Sequence, residues 1–134
     1  MESAKGFPIE FAVNKNNEDL FGLYGRAKIY WHASGFGEDL KRHPEYAEHF
    51  GISTVEAMGA GVVPVVINSG GQKEIVTSGV NGFLWDTIEE LHTQTKKLTA
   101  DNSLWYSMSE NAKKRANDFG IEKFNREINQ LIEM

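Results

Sequence analysis

Apolar and polar positions change rhythm several times along these 134 residues, and each rhythm predicts a kind of element. Residues 7–13, Phe-Pro-Ile-Glu-Phe-Ala-Val, set large apolar side chains at alternate positions, the period of a strand. Asn16-Asn17 then supplies an N-cap for a helix through Asp19 to Tyr24. Residues 28–33 are rich in aromatic and β-branched side chains and predict a second strand. The run from Val62 to Ile67 is apolar without a break, which suits a strand covered on both faces, as in a parallel sheet under helices. A short strand is expected over residues 82–85. Between these strands, a helix begins at Ile52 or Ser53 and closes at Gly61. Another short one covers residues 72–77 after a turn at Gly70-Gly71. Three helices follow, over residues 88–99, 103–118 and 121–133, the first two capped by Asp86-Thr87 and Asp101-Asn102-Ser103.

Strand and helix alternating in this way argue an α/β fold with a parallel sheet, in which ligands lie beyond the carboxyl ends of the strands. Residues 34–48, 68–71 and Asp86 occupy that position. The first of these, with Gly35, Gly37 and Pro44, predicts a long loop with at most one helical turn. It either shapes access to a site or is a mobile surface insertion. His32 ends its strand as a rim residue or a packed one, and His49 is expected to pack beside the following turn. Tyr30, Trp31, Phe83 and Trp85 are expected in the core, and Trp105 and Tyr106 are expected to pack.

Composition narrows the classes. Hydrophobic residues at 40% and charged residues at 25% are ordinary for a globular chain. A net charge of −5 without a basic stripe argues against a nucleic-acid partner. Lys96-Lys97 and Lys113-Lys114-Arg115 sit among acids on helices and read as solvated faces. Without cysteine there is no disulfide framework and no thiolate chemistry. The sequence shows no signal-peptide run and no stretch of roughly 20 apolar residues, so a cytoplasmic location is the expectation. His32, His43 and His49 lack helical i,i+4 spacing, so neither a metal nor a cofactor is expected.

The chemistry concentrates in residues 48–61. Glu48 and Glu56 flank a Phe50-Gly51 turn, with a helix starting just behind it. A helix N-terminus offers unpaired N–H groups to an anion, and glycine permits close approach. Ionised carboxylates accept hydrogen bonds from hydroxyls. Phosphate flanked by hydroxyls is the outline of a nucleotide sugar. The plainer alternative makes Glu48 a solvated loop acid and Glu56 an acid favoured by the dipole in the first helical turn.

Read with its neighbours, this segment resembles the two-glutamate motif of retaining glycosyltransferases of GT-B architecture, the large group 1 family (family 4). The resemblance runs in order through Glu56-Ala57-Met58, Gly61, Pro64-Val65-Val66, Gly70-Gly71, Glu74-Ile75-Val76, Gly79 and Asn81-Gly82-Phe83-Leu84. It implies a Rossmann-like sheet with flanking helices, residues 1–134 forming a single partial domain from the C-terminal, donor-binding half of such an enzyme. The implied partner is a nucleoside-diphosphate hexose. Glu48, the implied catalytic residue, would hold the donor sugar near its anomeric centre and Glu56 the ribose hydroxyls. The N–H groups of Phe50, Gly51 and Ile52 would face sugar hydroxyls, and those near Ser53 and Thr54 the diphosphate. In this family the donor phosphate is described as assisting the incoming hydroxyl, so no protein base is implied here. Ser53 departs from the proline frequent at this place, and its hydroxyl can serve a phosphate or the helix start.

The resemblance also implies what lies outside this sequence. The N-terminal acceptor domain is missing, as are the first strands of the donor domain with the Arg and Lys that neutralise the diphosphate. Arg26 and Lys28 are expected at the wrong end of the sheet for that role. In the order 3-2-1-4-5-6 the strand at residues 28–33 would be the fourth, and its edge would lie open. Pairing of two copies through that edge, or its cover by residues 7–13, is the expectation. The chain alone would then bind donor weakly and turn nothing over. A non-catalytic nucleotide-sugar-binding or regulatory module is the alternative. A receiver-like signalling domain is disfavoured, since its acidic pair and phosphorylatable aspartate are not found.

Overall fold

Six consecutive apolar residues from Val62 turn side chains to both sides of the chain and are stable only where both sides are covered. The computed structural model, which describes residues 2–133 apart from the side chain of Phe124, puts them at the centre of a three-stranded parallel sheet. In chain order the elements are α1 (Asn17–Arg26), β1 (Ile29–His32), α2 (Ile52–Gly59), β2 (Val63–Ile67), α3 (Gln72–Ile75), β3 (Phe83–Trp85), α4 (Ile88–Ala100), α5 (Asn102–Ala116) and α6 (Ile121–Ile132). Short 3-10 turns occupy Glu2–Ala4, Pro44–Tyr46 and Asn117–Phe119.

The strand order is β1-β2-β3, with Ile29 opposite Val63, His32 opposite Val66 and Ile67 opposite Trp85. Alternate residues of β2 serve different layers. Val63, Val65 and Ile67 pack with Trp85, Leu98 and Met108. Val66 packs with Met58, Ile75, Val76 and Ala112. Trp85 is fully buried, and its indole N–H donates to the Val65 carbonyl at 3.3 Å. Each large apolar side chain buried this way contributes about 2 kcal/mol.

Helix α5 meets the amino ends of the strands. The Trp105 indole N–H donates to the Lys28 carbonyl (2.9 Å) and the Ser109 hydroxyl to the Gly61 carbonyl (2.6 Å). The carboxyl ends of β1 and β2, at His32 and Ile67, lead instead into loops. Helix starts follow the caps in the sequence. Asn16 accepts from Asp19 N–H, Thr87 and Glu90 form a reciprocal capping box, and Asp101 accepts from Leu104 N–H.

Several expectations need correction. Residues 7–13 form no strand; they run irregularly over the surface, with Phe7, Ile9, Phe11 and Val13 all exposed. A strand needs a neighbour to pair its backbone, and no described strand lies beside them. The outer edge of β1 lies open as expected, with no strand partner among the described residues, but residues 7–13 do not cover it as a strand. Glu56 is the fifth residue of α2, in its second turn rather than its first. Trp31 is 58% exposed, its indole held by the Thr95 hydroxyl at 3.0 Å, so it is not core; Tyr106, though 64% exposed, packs edge-on to the Trp105 ring at 5.0 Å. The loop after β1 is folded onto the sheet end, with Phe36 against Trp85 at 5.3 Å between ring centres. No helix among the described residues is long and apolar enough to cross a membrane.

Candidate functional site

Two loops meet at the carboxyl ends of β1 and β2, and they meet main chain to main chain. Gly71 N–H donates to the Glu48 carbonyl at 2.7 Å. A Cβ on Gly70 would collide with the Glu48 carbonyl oxygen, and one on Gly71 with the His49 carbonyl. Gly70 also holds a φ of +54°, which other residues adopt only at a cost. This is why two glycines follow Ser69: any side chain there would push the loops apart.

The Glu48 side chain folds back over the turn it precedes. Its Oε1 accepts from Phe50 N–H at 3.2 Å and Gly51 N–H at 3.1 Å. Its Oε2 lies 3.5 Å from His32 Nε2. These donors favour the ionised form. The Glu48 carboxyl is held below its usual range by the Gly51 and Phe50 N–H groups first, with His32 adding to them against some burial.

Gly51, at φ +66°, turns the chain into α2. The first backbone hydrogen bond into the helix runs from Val55 N–H to the Gly51 carbonyl. The N–H groups of Ile52, Ser53 and Thr54 therefore have no acceptor within the helix; those of Ile52 and Ser53 lie open at its positive end, and that of Thr54 is buried behind them. Of the N–H groups expected to face a ligand, those of Phe50 and Gly51 are turned to Glu48, and the next three are not. The Ser53 hydroxyl does not cap the helix; it pairs with the Tyr30 hydroxyl at 2.7 Å.

Thr54 is fully buried, and its hydroxyl has no partner among the described residues. Gln72 is also fully buried, and neither end of its amide is paired. Its amide atoms stand 3.4 Å from where a Gly51 Cβ would be. Sequence reasoning passed over Gln72. Its signal was a polar residue three before Ile75, at a spacing that puts both on one helix face.

Glu56 is half-buried near Tyr24, whose hydroxyl is pushed up by burial first, then by Tyr30 and Glu56. With Phe50, Ile52, Val55 and Phe119 it lines a cleft of about 400 Å³. Phe50 and Ile52 are 78% and 68% exposed there. His49 is exposed and lines a second cleft of about 350 Å³, with Leu40, Pro44, Ser69 and Lys73. Asp86, beyond β3, accepts from the Asn68 amide at 3.2 Å. Lys28 sits before the amino end of β1, its ammonium 5.5 Å from the centre of the Trp105 ring, away from α2's N-terminus.

The family model for glycosyl transferases group 1 matches residues 8–115. The chain belongs to that family. Among its relatives is the GDP-Man:Man(3)GlcNAc(2)-PP-Dol alpha-1,2-mannosyltransferase of Dictyostelium discoideum, 31% identical over 125 residues. That match takes in 92% of this chain and 23% of the relative, so the chain spans about a quarter of its length. Among solved structures, Anabaena HepE in complex with UDP and glucose superposes with a TM-score of 0.70 at 27% identity, covering 86% of this chain and 29% of HepE. Sucrose-phosphate synthase from Thermosynechococcus elongatus shares the fold, with a TM-score of 0.77 at 22% identity over 98% of this chain and 31% of that enzyme. The three parallel strands and their flanking helices are thus the Rossmann-like layout of a GT-B glycosyltransferase of group 1, present in part.

Proposed function

We propose that this chain is the donor-binding part of a retaining glycosyltransferase that moves a hexosyl group from a nucleoside-diphosphate sugar to a hydroxyl acceptor. The observation that carries the reading is the N-terminus of α2. Two N–H groups, on Ile52 and Ser53, are open at a positive helix end, beside an ionised carboxylate on Glu48. In this reading the diphosphate takes the helix end, Glu48 meets the donor sugar, and Glu56, half-buried in the second turn, takes the ribose diol. Phe50 and Gly51 serve the sugar indirectly, by holding Glu48. The UDP in the Anabaena complex supports the donor class.

The acceptor domain and the cations that offset diphosphate charge belong to the remainder of a longer protein in this reading. The chain alone therefore binds donor weakly and does not turn it over. Titration with UDP-, GDP- and ADP-sugars, followed by protein-observed NMR, tests this. Shifts centred on residues 50–56 are expected for at least one donor, and silence from every donor defeats the reading. Appreciable sugar transfer by the chain on its own would defeat the claim of inactivity. The unpaired outer edge of β1 further supports association of two copies through it. A monomer in sedimentation, with residues 7–13 in no sheet, removes that part.

A further inference from the structure

We propose that His32 is a positioning residue for Glu48, fixing the plane of the carboxylate that the donor sugar meets; the role rests on the donor reading above. The two N–H groups of Phe50 and Gly51 both reach one oxygen, Oε1. Two bonds to a single oxygen fix a point, and the rest of the carboxylate can still swivel about it. His32 Nε2, 3.5 Å from Oε2, supplies the second point. With both oxygens addressed, the plane is set.

The histidine is well placed to act as a fixed reference. It is the last residue of β1, in register with Val66 of the buried central strand. Its side chain is only 11% exposed, and its ring lies 6.3 Å from the Tyr30 ring. A carboxylate only accepts hydrogen bonds, so the ring presents Nε2–H to Glu48. Nδ1 is then buried with no partner. A residue there for packing alone would be better as leucine, which fills the space without an unpaired polar atom. Left as a lone pair, Nδ1 is the less costly atom to strand, since orphaned N–H groups are rarer than under-satisfied acceptors.

His32→Leu and His32→Gln in this chain separate the roles, because glutamine can place an amide N–H close to where Nε2 lies. Two readouts are needed. The first uses no ligand: amide hydrogen exchange at Phe50 and Gly51 should speed up about threefold or more in His32→Leu and return most of the way in His32→Gln. The second compares UDP with UDP-glucose and GDP with GDP-mannose. His32→Leu should leave binding of the bare diphosphate within about twofold while weakening the sugar conjugate about tenfold, with recovery in His32→Gln. Equal loss for diphosphate and conjugate, or unaltered exchange in a folded His32→Leu, overturns the assignment. If the wild-type chain binds none of the four, the donor reading falls and the exchange rates alone decide what His32 does to Glu48.

Discussion

The central strand Val63–Ile67 is buried at every position, while Phe7, Ile9, Phe11 and Val13 are each 51–66% exposed. Both stretches are apolar enough to be strands, and residues 7–13 have the cleaner alternation. What separates them is neighbours. β2 has a parallel partner on each side and helices over both faces. Among the described residues, the backbone bonds of residues 7–13 are local turn bonds, such as Ile9 N–H to the Phe7 carbonyl. An apolar pattern states what a segment needs covered; it does not supply the cover. The last helix repeats the lesson, with Ile121, Leu131 and Ile132 at 67–76% exposure along α6.

The comparison can be broken most directly by truncating each region. Trp85→Ala should cost about 4 kcal/mol in denaturant unfolding, and Phe11→Ala less than about 0.5 kcal/mol. A cost above about 1 kcal/mol for Phe11→Ala would mean that residues 7–13 find cover in solution. Next in size is the junction of the two loops. Gly70→Ala forces a positive φ on alanine and drives its Cβ into the Glu48 carbonyl, for about 3 kcal/mol. NMR shifts in that variant should spread from residue 70 to residues 48–51, and shifts confined to residue 70 would contradict the junction.

Thr87→Ala removes the capping box of α4 and should lower stability by about 1 kcal/mol by thermal unfolding. Because α4 packs on β3, its loss should be felt at Trp85 and not at residues 7–13. The smallest effect concerns acid. Glu48 has a lowered pKa in the folded chain, so the stability it adds is present above its unfolded value and is lost as pH falls through the folded one. Comparing wild type with Glu48→Gln below pH ~4.5, the wild type should lose up to about 1 kcal/mol more as the carboxylate protonates. Parallel acid profiles would show that its N–H contacts add nothing.

Much of this fold could be read from single residues. The unbroken run from Val62 announced a strand covered on both faces, and Asn16, Thr87 and Asp101 marked helix starts that the structure keeps. Strand bounds shifted by a residue at β1, and α3 ended two residues early. Residues 7–13 misled because alternation is a local property and pairing is not. At the site, Glu48, Gly51 and the start of α2 were visible as a turn between acids. The contacts of Glu48 were not, because a side chain that returns to its own following N–H groups leaves no pattern. Nor were the contacts of Tyr30 and His32 visible: they reach Ser53 and Glu48 from β1, over 23 and 16 positions.

The join between residues 48–49 and Gly70-Gly71 is made of carbonyls, one N–H and the absence of two side chains. The scaffold that aims this turn therefore does not depend on what His49, Phe50 or Ile52 carry beyond their Cα atoms. Those three side chains point outward and are exposed. They can be exchanged to suit a different ligand while the frame stays where it is, so the site separates what can vary from what cannot within five residues of chain. Substitutions at those three positions should leave thermal unfolding close to that of the wild type, and none should be tolerated at the paired glycines.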